Sequence, residues 1–189
     1  AEPEMRATAR GRIRRQVDRL SNMISELLEF TRGGSVKVAL SSVDYAEFAQ
    51  PLLEEIRQEL ETRRVELVCE GEPPSVAVRM DPRRLSHVFH NLAHNACDAM
   101  PDGGKLTCVF KVTEHDLVTE MRDTGSGIAP EIATRLFDAF ATHGKASGTG
   151  LGLSICRRIL KDHRGTIEAE NAAEGGAVFR FLLPLASQP

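Results

Sequence analysis

Apolar positions along this chain change their period at one boundary. Up to about residue 33, Ile13, Val17, Leu20, Ile24 and Leu27 recur at alternating spacings of four and three, Leu28 and Phe30 widen the stripe, and Arg, Asp and Glu fill many of the other positions. This is the seam of a bundle or coiled-coil helix. One helix cannot bury such a stripe alone, so the pattern predicts a partner helix from another segment or another subunit. Gly33-Gly34 ends it.

Beyond that point short periods take over. Val36, Val38 and Leu40 alternate as a strand, and 44–64 reads as a helix with Phe48, Leu52, Ile56 and Leu60 on one face. Pro51 inside that span predicts a kink or a late helix start. Val65–Val68 and Val76–Val78 are strands around the turn GEPPS. Asp81-Pro82 has the form of an N-cap followed by a proline at the first helical position, opening a helix to Met100. Strands are expected at Leu106–Val112 and Leu117–Arg122, then a glycine-broken loop over 123–129, a short helix over about 130–137, an irregular stretch over 138–149 and a helix from Leu151 to about His163. Two strands, Thr166–Glu170 and Val178–Leu183, close the chain across Ala172 to Gly176. The four later strands read as antiparallel near-neighbours. The fold class is therefore α+β: a two-layer sandwich of a mixed, mostly antiparallel sheet with three helices on one face, preceded by one long bundle helix.

Composition narrows the classes. The 189 residues suit one sizeable domain with an appendage, and a net charge of −3 gives no bulk attraction to nucleic acid or anionic membrane. No apolar run approaches the ~18 residues of a membrane span, so neither nucleic acid nor direct membrane contact is expected. Cys69, Cys97, Cys108 and Cys156 are scattered without a CxxC pair and read as small hydrophobes in a reducing, cytoplasmic setting.

The chemistry concentrates in three stretches. In HNLAHNACDAM, Asn91 and Asn95 lie four apart on one face of a helix otherwise suited to the core. DTGSGI (Asp123 to Ile128) follows a strand, where glycines admit a ligand close to the backbone and a carboxylate can accept from a base amine. GTGLGL (Gly148 to Leu153) opens a helix, whose free N–H groups and dipole suit phosphate. GKAS lacks the glycine and hydroxyl pattern of a P-loop, and GTGLGL is not a GxGxxG turn within a βαβ unit, so P-loop and Rossmann enzymes are excluded.

In this order, with LFDAFAT (Leu136 to Thr142) between the two glycine loops, these stretches resemble the N, G1, F and G2 boxes of the sensor histidine kinase ATP-binding domain, in the superfamily that includes gyrase and mismatch-repair ATPases. The resemblance spans Val36 to Leu185. It implies a Bergerat-type fold over 36–186 and makes residues 1–33 the second helix of a dimerisation hairpin. It implies that Asn95 binds Mg2+ through its carboxamide oxygen, with Asn91 on phosphate or a metal-bound water. Asp123 is implied to accept from the adenine amine, with Gly125, Gly127 and Ile128 closing over the base. Gly148, Thr149, Gly150, Leu151 and Gly152 would line the phosphates, and His94 and Asp98 flank them on the N-box helix. Lys145 is either a phosphate contact or a solvated lysine; Phe137 and Phe140 are expected to pack the base of a lid over 141–147.

The function implied is ATP-Mg-dependent protein-histidine kinase activity, with relay to a response-regulator receiver domain and a homodimer through the bundle helix. Residues 1–33 contain no histidine, and Ala1 is the first residue; the expectation is a piece of a longer protein, whose parent can be membrane-anchored, lacking the acceptor helix and unable to phosphorylate itself. Hydrolytic relatives carry a glutamate where Asn91 stands, so hydrolysis should be feeble. A nucleotide-gated binding module, such as an anti-sigma-factor-like or degenerate kinase domain, is the alternative. Arg164 stands where a glycine is usual. Val178 stands where many relatives have a threonine near the adenine, which is expected to weaken binding without abolishing it.

Overall fold

The computed structural model describes residues 39–142 and 149–186. The bundle-helix stretch, Val36, Val38 and the segment containing Lys145 and Gly148 lie outside the described residues.

The first strand among the described residues is β1, Ser41–Asp44; most of the alternation expected as a strand over 36–40 lies outside them. Pairing decides its position: Val43 sits opposite Val78 in an antiparallel ladder with β3, Ala77–Met80. Asp44 then caps α1, Tyr45–Glu61, with Oδ1 accepting from the Ala46 and Glu47 N–H groups at 2.8 and 3.2 Å. The helix begins at this cap and runs through Pro51, so the proline does not delay its start. β2, Val65–Glu70, follows a turn through Arg64.

Asp81 caps α2, Pro82–Ala99, as the Asp-Pro pair predicts; its carboxylate accepts from Arg83 and Arg84 at 3.1 and 3.2 Å. β4, Gly104–Val112, and β5, Asp116–Asp123, form a hairpin. The short helix α3 covers only Pro130–Ala133 and gives way to turns, shorter than the expected 130–137. Its cap, Ala129, has no side chain to hold the first turn. α4 spans Gly152–Asp162, and β6, Thr166–Asn171, pairs with β7, Ala177–Pro184.

The main sheet has the order β2-β4-β5-β7-β6; β2 runs parallel to β4 and every other pair is antiparallel. The expected mixed, mostly antiparallel sheet is observed. On one of its faces lie α1, α2 and α4, with α2 in the middle. The core fills the space between. Phe89 of α2 meets Phe181 of β7 edge-on at 5.4 Å, and buried Tyr45 places its hydroxyl 2.8 Å from Thr119 Oγ1 of β5. That partner is needed, because an unpaired buried phenol would cost stability.

α4 ends in a Schellman turn. The Arg164 N–H donates to the Lys161 carbonyl at 3.0 Å and the Gly165 N–H to the Leu160 carbonyl at 2.7 Å, with Arg164 at φ 60°. This left-handed position is the one where a glycine is usual. Beside it, buried His163 donates from Nδ1 to the Ile159 carbonyl at 2.7 Å and accepts at Nε2 from the Asp81 N–H at 2.9 Å. One imidazole thus ties the end of α4 to the start of α2.

Candidate functional site

α2 carries its core residues, among them Phe89, Leu92, Ala93 and Ala96, on one side. Helical spacing puts Asn91 and Asn95 on one flank of that face and His90 and His94 on the other. Both asparagines are half-buried. His94 faces α1, where its Nε2 lies 2.7 Å from Glu59 Oε1. His90 Nδ1 stands 3.8 Å from the same carboxylate; burial holds its imidazole below the ordinary value, against the pull of Glu55 and Glu59. Asp98 is exposed, 4.0 Å from Arg63.

Asp123 ends β5 on the helix-facing side of the sheet and is only 5% exposed. Its Oδ1 accepts from the Gly125 N–H at 2.9 Å and from the Ala177 N–H, across the ladder on β7, at 3.2 Å. The loop that follows packs onto the end of α2. Ser126 N–H donates to the Ala99 carbonyl at 3.2 Å, and a Cβ on Gly125 would lie 2.6 Å from that oxygen. On the other side Gly176, at φ 84°, rests against the Asp123 backbone so closely that a Cβ would stand 1.9 Å from its carbonyl oxygen. Only glycine fits there.

Asn171, at the end of β6, clamps the same loop. Its Oδ1 accepts from the Ile128 N–H at 2.6 Å and its Nδ2 donates to the Ile128 carbonyl at 3.0 Å. A Cβ on Gly127 would lie 2.8 Å from that Oδ1, so the absent side chain makes room for the carboxamide. Sequence reasoning assigns no role to Asn171 or Gly176, because the strand end at 170 and the connection over 172–176 read as a plain hairpin. The doubled Gly175-Gly176 was the available signal.

At the start of α4, Thr149 Oγ1 accepts from the Leu151 N–H at 3.2 Å, and no side-chain cap from Leu151 covers the helix N-terminus. Leu151 is buried and anchors the turn from behind. Gly150, at φ 70°, has its backbone against Phe140, whose N–H donates to the Gly150 carbonyl at 2.9 Å. This joins the LFDAFAT stretch to the second glycine loop. Phe137 packs partly into the core, whereas Phe140 is 65% exposed; most of the lid whose base they are expected to pack lies outside the described residues. Val178 also departs from expectation. Its register partners are Arg122 and Glu170, on the sheet face away from the helices, and Ala177 is the residue beside Asp123.

Asn91, Asn95, Asp98, Asp123, Gly125, Gly127, Ile128 and Thr149 to Gly152 therefore occupy the helix, strand end and loops described here, with His94 turned towards α1. Residues 80–187 match the family model of histidine kinase-, DNA gyrase B- and HSP90-like ATPases. The chain belongs to that family.

Within it, sensor histidine kinase ZraS of Klebsiella oxytoca is 35% identical over 175 residues, covering 92% of this chain and 37% of ZraS. The chain thus spans well under half the length of that relative. Full-length ShkA in complex with AMPPNP superposes with a TM-score of 0.78 at 26% identity, over 100% of this chain and 40% of ShkA. Histidine kinase ThkA in complex with the response regulator TrrA gives 0.75 at 25% identity, over 92% and 49%.

The donor set bears on the metal this ATPase family suggests. Among the described residues no group of three or more His, Cys, Asp or Glu is placed to hold a metal ion. Asn95 carries an amide oxygen, a hard donor of the kind that would fit Mg2+, an ion that takes few protein ligands and would share a nucleotide's phosphate oxygens. Among the described residues no helix is long and apolar enough to cross a membrane.

Proposed function

We propose that this chain is the ATP-binding catalytic portion of a two-component sensor histidine kinase, which transfers the γ-phosphate of ATP to a histidine supplied by a separate helical segment. The carrying observation is Asp123, a buried carboxylate at a strand end, braced by Gly125 and Ala177 beneath a loop of close-packed glycines. Such a group discriminates an amine-bearing base by hydrogen bonding.

In this reading adenine meets Asp123, and Gly125, Gly127 and Ile128 cover it. The backbone from Gly148 to Gly152 at the α4 N-terminus holds the phosphates, with Lys145 a further candidate. Asn95 would hold Mg2+ and Asn91 an adjacent phosphate or water. When bound, Mg2+ would neutralise charge on the phosphates and orient them. Asp98 stands one turn beyond Asn95, and His94 reaches the nucleotide only by leaving Glu59. Asn91 cannot take a proton from water, whereas a neutral imidazole is its own nucleophile. Attack on the γ-phosphorus forms the P–N bond as the bond to the ADP oxygen breaks.

Residues 1–33 fit the second helix of a dimerisation hairpin, and homodimerisation through it, relay to a receiver domain and a cytoplasmic location belong to the same proposal. ShkA with AMPPNP and ThkA with TrrA support the nucleotide and the partner class.

Titration with a fluorescent ATP analogue, with and without Mg2+, tests the pocket. Binding should be lost in Asp123→Ala, and its metal dependence in Asn95→Ala. Addition of a histidine-bearing hairpin in trans should yield acid-labile, base-stable phosphate on the hairpin. Unaltered binding in Asp123→Ala would overturn the site assignment; binding without transfer would overturn the kinase reading and favour a nucleotide-gated switch.

A further inference from the structure

Two of the four cysteines are placed by the sheet as neighbours. Cys69 of β2 and Cys108 of β4 are register partners in the parallel ladder, between Val68↔Thr107 and Glu70↔Val109. Side chains at paired positions project to the same face. Neighbouring strands lie ~4.7–4.9 Å apart, inside the ~4.4–6.8 Å window of Cα separations that a disulfide spans. Both thiols are free. Their exposures differ in a useful way: β2 is an edge strand and Cys69 is half-buried, while Cys108 is fully buried. Cys97 and Cys156, by contrast, are buried on α2 and α4.

We infer that Cys69 and Cys108 are an oxidisable dithiol, in which Cys69 meets a peroxide-class oxidant and Cys108 resolves the product to a reversible disulfide. The Cys108 thiol, hydrogen-bonded to Cys69, lowers the latter to about 7 against the opposing effect of burial, with Arg57 of α1 adding to the lowering. The same hydrogen bond and burial push Cys108 up. The opposite directions favour the thiolate at the half-buried Cys69 over the buried Cys108. Its attack on hydrogen peroxide forms an S–O bond as the O–O bond breaks, giving a sulfenic acid and, after protonation of hydroxide, water. Cys108 then attacks that sulfur, the S–S bond forms, the S–O bond breaks and a second water leaves. Two thiols lose two electrons and one peroxide becomes two waters. The inference uses neither the nucleotide nor the kinase reading.

The test is peroxide treatment of the native chain, alkylation under denaturing conditions and peptide mapping by mass spectrometry. The expected result is paired loss of two thiols and a cross-linked species of peptides holding Cys69 and Cys108, about 2 mass units below their sum. Dithiothreitol should restore both. In Cys108→Ser, Cys69 should instead be trapped as sulfenic acid by dimedone, with no cross-link. Consumption of Cys97 or Cys156 before Cys69, or oxidation of Cys69 in the native chain with Cys108 still alkylatable, would overturn the inference. That readout does not depend on how the variant folds.

Discussion

Asn171→Ala removes the clamp that holds the loop after Asp123 through the Ile128 backbone, and leaves the Asp123 carboxylate itself unaltered. Two hydrogen bonds disappear, at 2.6 and 3.0 Å, both to the Ile128 backbone. A typical hydrogen bond contributes a net ~0.5–1.5 kcal/mol. Asn171 is exposed, so water replaces part of what is lost, and about 1–2 kcal/mol remains for the pair. If that energy holds the loop in its ligand-ready form, analogue affinity should fall about 5- to 30-fold, since each 1.4 kcal/mol is tenfold. Isothermal titration against the unmutated chain measures it, and a urea midpoint on both proteins separates positioning from stability. Asn171→Asp keeps an acceptor for the Ile128 N–H but loses the donor and sets a charge against the carbonyl, so it should bind no better than the alanine variant. Affinity within twofold of the parent in Asn171→Ala would refute the positioning role. So would a loss matched wholly by lower global stability.

Two stability predictions follow from backbone and charge. Arg164 adopts a left-handed conformation that costs an L residue ~1–2 kcal/mol, part of which glycine returns as unfolded-state entropy, so Arg164→Gly should stabilise by about 0.5–1 kcal/mol. Thermal unfolding should show a rise of about 1–4 °C in Tm, and Arg164→Ala, which keeps the Cβ, should show none. For Glu120, burial pushes the carboxyl upward, but hydrogen bonds and charges from Arg122 and Arg180 outweigh it and hold the value below the usual glutamate range. Its stabilisation is therefore complete above the ordinary glutamate pKa and is lost as pH falls through the lowered folded value. The urea-midpoint gap between the parent and Glu120→Gln should be widest near neutrality and shrink with acidification; a gap that grows in acid would reverse the sign.

Much of this fold was legible because local chemistry and tertiary need agree. Asp81-Pro82 is a helix start in any context, and the apolar period of α2 survives into the structure intact. Asp123 and the glycines around it were visible as a strand end and a broken loop. Other features had no local signature. Asn171 acts on a backbone 43 residues away, and a backbone carries no side-chain mark of its partner. Val178 and Ala177 are both buried, so burial pattern alone does not say which of them faces Asp123; the ladder register does. His94 was placed beside Asn95 by sequence proximity, yet one helical residue is a rotation of about 100°, enough to turn it to Glu59.

The sequence by itself determined the α+β class, the caps and periods of its helices, and the residue types fit for base, phosphate and metal. These follow from preferences that act within a few residues: dihedral limits, capping and amphipathic spacing. The tertiary structure alone decided that β2 joins the sheet in parallel beside β4, that Cys69 thereby meets Cys108, and that Gly176 and Asn171 brace the loop after Asp123. Those outcomes depend on strand register and on close backbone approach between distant segments. Shifting a strand by one residue turns every side chain to the opposite face, so register is set by burial of the whole sheet against its helices.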